Sequence, residues 1–271
     1  MTGWLAASAL LIAAVSGARG TWSPCGLSMI SAINPLSERS RGNRYSLTAL
    51  WFIAGSVLGG VVLGAASGVL ALAARPLADQ GTAALAVAAV ACLVALAADR
   101  RLAGFQLPLH PRQVNELWLT RYRRWLYAAG FGLQIGVGFA TYIMTAATYL
   151  VVVLAALTGS PALAVAAGAV FGLVRGLAVL LSARCRSAQA LRQLHLRLSA
   201  LEPVSLRTAM AAEALVAGVL GYAAAGVVAG CAALLAAGLI LTADQALRPI
   251  RGRALMKSRH NRNTEVVPSG H

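Results

Sequence analysis

The stretch LTALWFIAGSVLGGVVLGAASGVLALAA, residues 47–74, runs for 28 residues without one charged side chain. A bilayer core about 30 Å thick is crossed by roughly 20 apolar residues of α-helix, so this segment is long enough to span. Its glycines, Gly55, Gly59, Gly60, Gly64 and Gly68, let a neighbouring helix approach closely. Five further apolar stretches flank it, at about Trp4–Pro35, Gly81–Ala98, Leu126–Leu157, Ala162–Ser182 and Thr208–Leu241. Hydrophobic residues make up 59% of the chain and charged ones 11%, whereas a soluble domain carries about a quarter charged. The fold class predicted is an all-α polytopic membrane protein with six or seven transmembrane helices. Those spans use up the 271 residues and leave no room for a folded soluble domain.

The net charge is +15, and every basic residue except Lys257 is an arginine. Loops after the first, third and fifth spans are basic, while those after the second and fourth are nearly neutral. Under the positive-inside rule this alternation puts the basic loops in the cytoplasm and the N-terminus outside, in a bacterial cytoplasmic membrane. The tail, with Arg248, Arg251, Arg253 and Lys257, also belongs inside. That requires Thr208–Leu241 to fold as a hairpin turning near Tyr222–Gly226; a single tilted span would leave the tail outside. The first apolar run has no basic residue before Arg19, so it reads as a retained helix and not a cleaved signal. No basic folded module lies outside the spans, which excludes nucleic acid as a partner and leaves the lipid bilayer.

Four segments follow. Residues 1–98 form a first transmembrane half, and 99–125 a cytoplasmic basic linker ending in an interfacial helix, Trp118–Trp125. Residues 126–247 form a second half, and 248–271 a basic cytoplasmic tail without a fold of its own. The two halves share a plan: an over-long opening helix broken by glycine or proline, then a glycine-containing span, Gly55–Gly59 in one and Gly168–Gly172 in the other. Three spans per unit is odd, so the copies must insert in opposite senses, as two inverted three-helix repeats with broken first helices.

Chemistry-bearing residues concentrate at those breaks. Cys25 follows Pro24 and precedes Gly26, beside backbone N–H groups that favour a thiolate. Arg175 lies inside the fifth span, where a guanidinium faces the bundle or a water-filled cavity, and Arg19 lies in the first broken helix. Thr141 and Tyr142 belong to the polar face of the second, with Gln134, Thr145 and Thr148. The substrate-path candidates are therefore Arg19, Pro24, Thr141, Tyr142 and Arg175. The four histidines are scattered without ligand spacing, so no metal site is expected, and no cofactor is indicated.

Trp22-Ser23-Pro24-Cys25-Gly26 resembles the Ser-Pro-Cys segment in the first helix of the CcdA/DsbD-like family, thiol–disulfide transmembrane proteins of cytochrome c biogenesis. Gly130-Phe131-Gly132 and Thr158-Gly159-Ser160-Pro161 are similar to that family's fourth and fifth helices. The resemblance implies an electron conduit with Cys25 as reactive, catalytic thiol and a thioredoxin-like protein as partner. It also implies a second cysteine near Ala140–Ile143, where this chain has none. A second reading of the same scaffold is a secondary transporter for a small, anionic solute passing Arg19 and Arg175.

Overall fold

The computed structural model describes residues 2–105, 122–139 and 143–243, and they are helical throughout their ordered elements. The first apolar stretch divides as expected: α1 (Thr2–Arg19), a 3-10 turn (Gly20–Trp22), then α2 (Pro24–Ala32). The break has a local cause. Ser23 is extended, and its Oγ accepts from the Gly26 N–H at 3.0 Å while donating to the Gly20 carbonyl at 2.7 Å. Pro24 takes the first helical position, where its missing N–H costs nothing. After α3 (Pro35–Ser40), capped by the Asn34 side chain, come α4 (Tyr45–Ala73), a short α5 (Arg75–Ala78) and α6 (Thr82–Asp99).

In the second half, α7 (Arg124–Val137) and α8 (Ala147–Leu157) are separate helices of 14 and 11 residues. Gly138, at φ +75°, ends the first of them. Next come α9 (Pro161–Leu177), prolonged as a 3-10 turn to Ser182, and α10 (Ala188–Ala225). Gly226, at φ +80°, reverses the chain into α11 (Val227–Ala243). Helix α11 folds back along α10: a Cβ on Gly218 would lie 2.6 Å from the Leu234 side chain, and one on Gly221 3.0 Å from the Ala229 carbonyl. The reversal thus falls inside the expected 222–226 window. The helix leading into it starts at Ala188, about twenty residues before the apolar region, and runs through Pro203.

Among the described residues, five helices are long and apolar enough to cross a membrane, Thr2–Trp22, Tyr45–Ala73, Thr82–Asp99, Pro161–Ser182 and Ala188–Ala225. Two shorter apolar helices, Ala147–Leu157 and Val227–Ala243, accompany them. Between 44% and 50% of each apolar window is buried in the bundle, so the other half lies on the outside. Leu50, Val69, Leu70, Val228 and Leu239 are all at least half exposed there. An apolar exterior of that extent is matched to lipid and not to water. The chain is a multi-pass membrane protein. Of the linker, residues 106–121 lie outside the described residues, as does the tail beyond 243.

Helix α4 is the axis of the bundle, pressed between α7 and α9. A Cβ on Gly60 would lie 2.2 Å from the Gly168 carbonyl, and one on Gly136 2.0 Å from that of Ser56. Backbones this close need small residues on both sides, and Ser56 Oγ exploits the approach by donating to the Gly172 carbonyl at 2.7 Å. Around this spine, Phe52, Tyr127, Phe131 and Ile135 fill one apolar cluster with Met29 and Ile30 of α2. Leu85, Ala88, Cys92, Leu154, Phe171 and Leu220 fill a second.

Candidate functional site

The break in the first helix is where the sequence-predicted residues meet. Gly20 lets Arg175 in: a Cβ there would lie 2.9 Å from Arg175 Nε and 3.0 Å from its Cζ. The guanidinium therefore packs against the 3-10 turn, with its Cζ 5.6 Å from the Phe171 ring centroid. Cys25, 2% exposed, is an electrostatic neighbour of the same guanidinium. Arg175 is itself 4% exposed, so it does not snorkel to the membrane surface. An arginine at a helix centre costs about 2.5–3.5 kcal/mol on insertion scales. A desolvated cation–π contact returns about 2 kcal/mol.

Arg19, one residue before the turn, points the other way. It is 4% exposed and reaches Glu202 of α10 at 3.7 Å, while its Nε and Nη1 have no hydrogen-bond partner among the described residues. Asp99, the last residue of α6, is a second acid within its field. A cleft of about 270 Å³ opens beside Arg19, lined by Val15, Trp22, Leu201, Val204 and Thr208. Trp22, part of that lining, donates from Nε1 to the Leu198 carbonyl at 2.7 Å. Arg19 and Arg175 are thus neighbours in the fold with different partners. Pro24 acts through the backbone alone, as the first residue of α2. Thr141 and Tyr142 lie outside the described residues.

Two polar clusters escaped the sequence reading. Asp99 stood there as the first residue of a cytoplasmic linker. In the fold its carboxylate receives the Thr145 hydroxyl and, at 2.5 Å, the Ala146 N–H, so it caps the start of α8. Ser16 and Thr148, 3.1 Å apart, tie α1 to that same half-helix. Glu38 stood as one residue of a basic loop. It is fully buried and accepts from Thr48 at 2.6 Å, from Tyr127 at 2.8 and 2.9 Å and from Arg41 at 2.9 Å. One carboxylate thereby joins α3, α4 and α7. Each acid pairs with a residue 46 to 89 positions away, beyond any local pattern.

Of the remaining thiols, Cys92 and Cys185 are buried and Cys231 exposed, and all three are free. Cys185 follows the fifth span, and burial pushes its thiol above the usual range. Among the described residues no cluster of three or more His, Cys, Asp or Glu could hold a metal ion.

The fold and site together define an all-helical, multi-pass membrane protein with two arginines buried at a helix break. Its sequence is similar to methylamine utilization protein MauF. The match is 32% identical to the Paracoccus versutus protein, over 62% of this chain and 62% of that one. It is 32% identical to the Paracoccus denitrificans protein over 63% and 62%, and 30% identical to the Methylophilus methylotrophus protein over 63% and 60%. The chain thus spans less than two thirds of the length of these curated relatives. No family model matches it, and no solved structure does.

These relatives overturn the resemblance to the CcdA/DsbD-like family, and with it the reading as a thiol–disulfide conduit of cytochrome c biogenesis. They equally displace the alternative of an anion transporter. The physical reason is visible at Cys25. Ser-Pro-Cys-Gly is a helix-restart device, with serine as cap, proline at the first position and glycine giving way to the Thr21 carbonyl 2.5 Å from where its Cβ would stand. Any membrane helix that breaks and restarts can use it. The thioredoxin-like partner rested on that resemblance alone, and no observation here bears on it.

Proposed function

We propose that this chain serves methylamine utilization as a multi-pass protein of a bacterial cytoplasmic membrane. Its working centre is the break at Gly20–Cys25 under Arg175. The observation that carries the process is the shared name of its relatives, methylamine utilization protein. What supports the centre is a guanidinium held at 4% exposure within a membrane bundle, on a turn shaped by Gly20 to receive it. Cys25 supplies a polarisable neighbour to that cation, Pro24 fixes the turn, and Arg19 flanks it.

The finer architecture belongs to the same proposal. The chain is two inverted three-helix units, α1–α6 and α7–α10, with the N-terminus outside and the basic loops in the cytoplasm. Pairing of the helices supports this. With α1 matched to α8, α4 to α9 and α6 to α10, each helix packs on its own counterpart; α1 on α9 is answered by α8 on α4, and α1 on α10 by α8 on α6. Exchange of the halves leaves that set of contacts unchanged, as a two-fold axis in the membrane plane requires.

Deleting the gene from its own host tests the proposal. Growth on methylamine should be lost and growth on an unrelated substrate kept, with rescue by the parent chain and none by Arg175→Gln at equal membrane abundance. A deletion strain growing on methylamine at the parental rate overturns the process. Full rescue by Arg175→Gln overturns the centre.

A further inference from the structure

Glu213, on α10, differs from every other described acid in having nothing to hold its charge. Its side chain is fully buried, and neither carboxylate oxygen has a hydrogen-bond partner among the described residues. The buried side chains on adjoining turns of α6 and α10 are Cys92, Leu96, Met210, Val216 and Ala217. Its electrostatic neighbours are Cys92 and Asp99. Asp99 is provided for: it accepts from Thr145 and the Ala146 N–H and shares the field of Arg19. Arg19 in turn pairs with Glu202, which is 50% exposed. The other ionisable groups of this region face elsewhere, Arg175 towards Cys25 and Cys231 into a cleft with Tyr222 and Leu234.

Glu202 and Asp99 thus share one guanidinium, and Glu213 lies outside that group. Solvent carries the charge of Glu202, and Arg19 with the α8 N-terminus carries that of Asp99. A third negative charge, in an apolar shell and beside a second carboxylate, has no compensation. We propose that Glu213 binds a proton, standing as a neutral carboxylic acid beside ionised Asp99, so that the pair forms a protonation site inside the membrane. One O–H bond forms on a carboxylate oxygen, the proton comes from bulk water, and no other bond changes. A metal ion or an alkylammonium needs several oxygen acceptors around it, and beyond the two Glu213 oxygens the neighbouring Asp99 has both of its own engaged by Thr145 and the Ala146 N–H. Glu202, Arg19 and Asp99 form a series of charged neighbours between solvent and Glu213.

Infrared spectroscopy of the full chain in phosphatidylcholine nanodiscs tests this without the methylamine reading. At neutral pH the unmodified protein should show the carbonyl stretch of a protonated carboxyl. The band should shift in D2O, vanish in Glu213→Gln and persist in Glu38→Gln. Absence of the band from the unmodified protein overturns the proposal whether or not the variant folds. So does its survival in Glu213→Gln. Loss of the band on adding sodium or methylammonium at fixed pH makes the site one for that cation and also overturns it.

Discussion

Substituting Gly60 by alanine tests the central packing claim most directly. The new Cβ would stand 2.2 Å from the Gly168 carbonyl and 2.9 Å from Gly172 Cα, against at least 3.4 Å for an ordinary contact. Helices α4 and α9 must therefore part by about 1.2 Å at their tightest point. Both contacting atoms are backbone, so no side chain can rotate away. A radial gap of about 0.5–1 Å forfeits a quarter to a half of each van der Waals well. The Ser56–Gly172 hydrogen bond at 2.7 Å, one turn along, is stretched as well. Overpacking of this kind costs about 3 kcal/mol, which for a chain of this size lowers the melting temperature by about 6–12 °C. Gly68→Ala is the internal control. Its Cβ would meet Pro161, at 3.3 Å from the side chain and 3.4 Å from Cα, near ordinary contact, and alanine is the better helix former by about 1 kcal/mol. Thermal melting of both variants in one detergent, followed by circular dichroism, reads the difference. If Gly60→Ala melts with the parent, or both variants fall equally, the glycines are compositional and α4 is not the close-packed axis.

The other predictions concern the polar clusters. Tyr127→Phe removes the hydroxyl that bridges both Glu38 oxygens at 2.8 and 2.9 Å; a bond to a charged acceptor is worth about 1.5–3 kcal/mol, and the detergent melting temperature should fall accordingly. Thr145→Val deprives Asp99 of a donor at the start of α8 and should lower stability by about 1–2 kcal/mol, while Thr145→Ser, which keeps the hydroxyl, should restore it. Cys185, whose thiol burial pushes up, carries less thiolate at any given pH than a free thiol. In a chain with its other cysteines replaced by serine, maleimide labelling should therefore be slow at neutral pH and gain on a small reference thiol as pH rises; labelling at the reference rate at neutral pH refutes the burial.

The long helices were legible because lipid imposes a length on apolar runs that no local preference overrides. Residues 47–74 became Tyr45–Ala73, and 81–98 became Thr82–Asp99. Cys25 and Arg175 were legible as candidates for a related reason: proline beside glycine, and arginine among alanines, contradict a plain span. Their meeting was not, since Gly20 has to be seen against the guanidinium it admits. Asp99 and Glu38 were missed because each sits where an apolar run gives way to arginines, which is the pattern of a solvated loop. Among their donors, Thr145 and Tyr127 are supplied by the other half of the chain. Serine, proline, cysteine and glycine at the break were over-read in the opposite direction, as redox chemistry where they are a cap.

Rigidity and charge are kept apart in this bundle. The α4–α7–α9 core is joined backbone to backbone through Gly55, Gly60, Gly132, Gly136, Gly168 and Gly172, and none of its contacts at that crossing involves an ionised group. Buried charges stand instead at helix ends: Arg19 at the end of α1, Asp99 between the end of α6 and the start of α8, Arg175 over the turn that opens α2. That placement follows from the bilayer. An interrupted helix frees peptide dipoles that lipid cannot solvate, and a charged side chain needs dipoles that an uninterrupted helix does not offer. Charge and break coincide at each of these sites, and a close-packed core is what holds them in register. Movement of the core would separate charge from break at several sites together, so Arg19, Asp99 and Arg175 should respond as a set to substitutions at Gly60 or Gly136, positions that touch none of them.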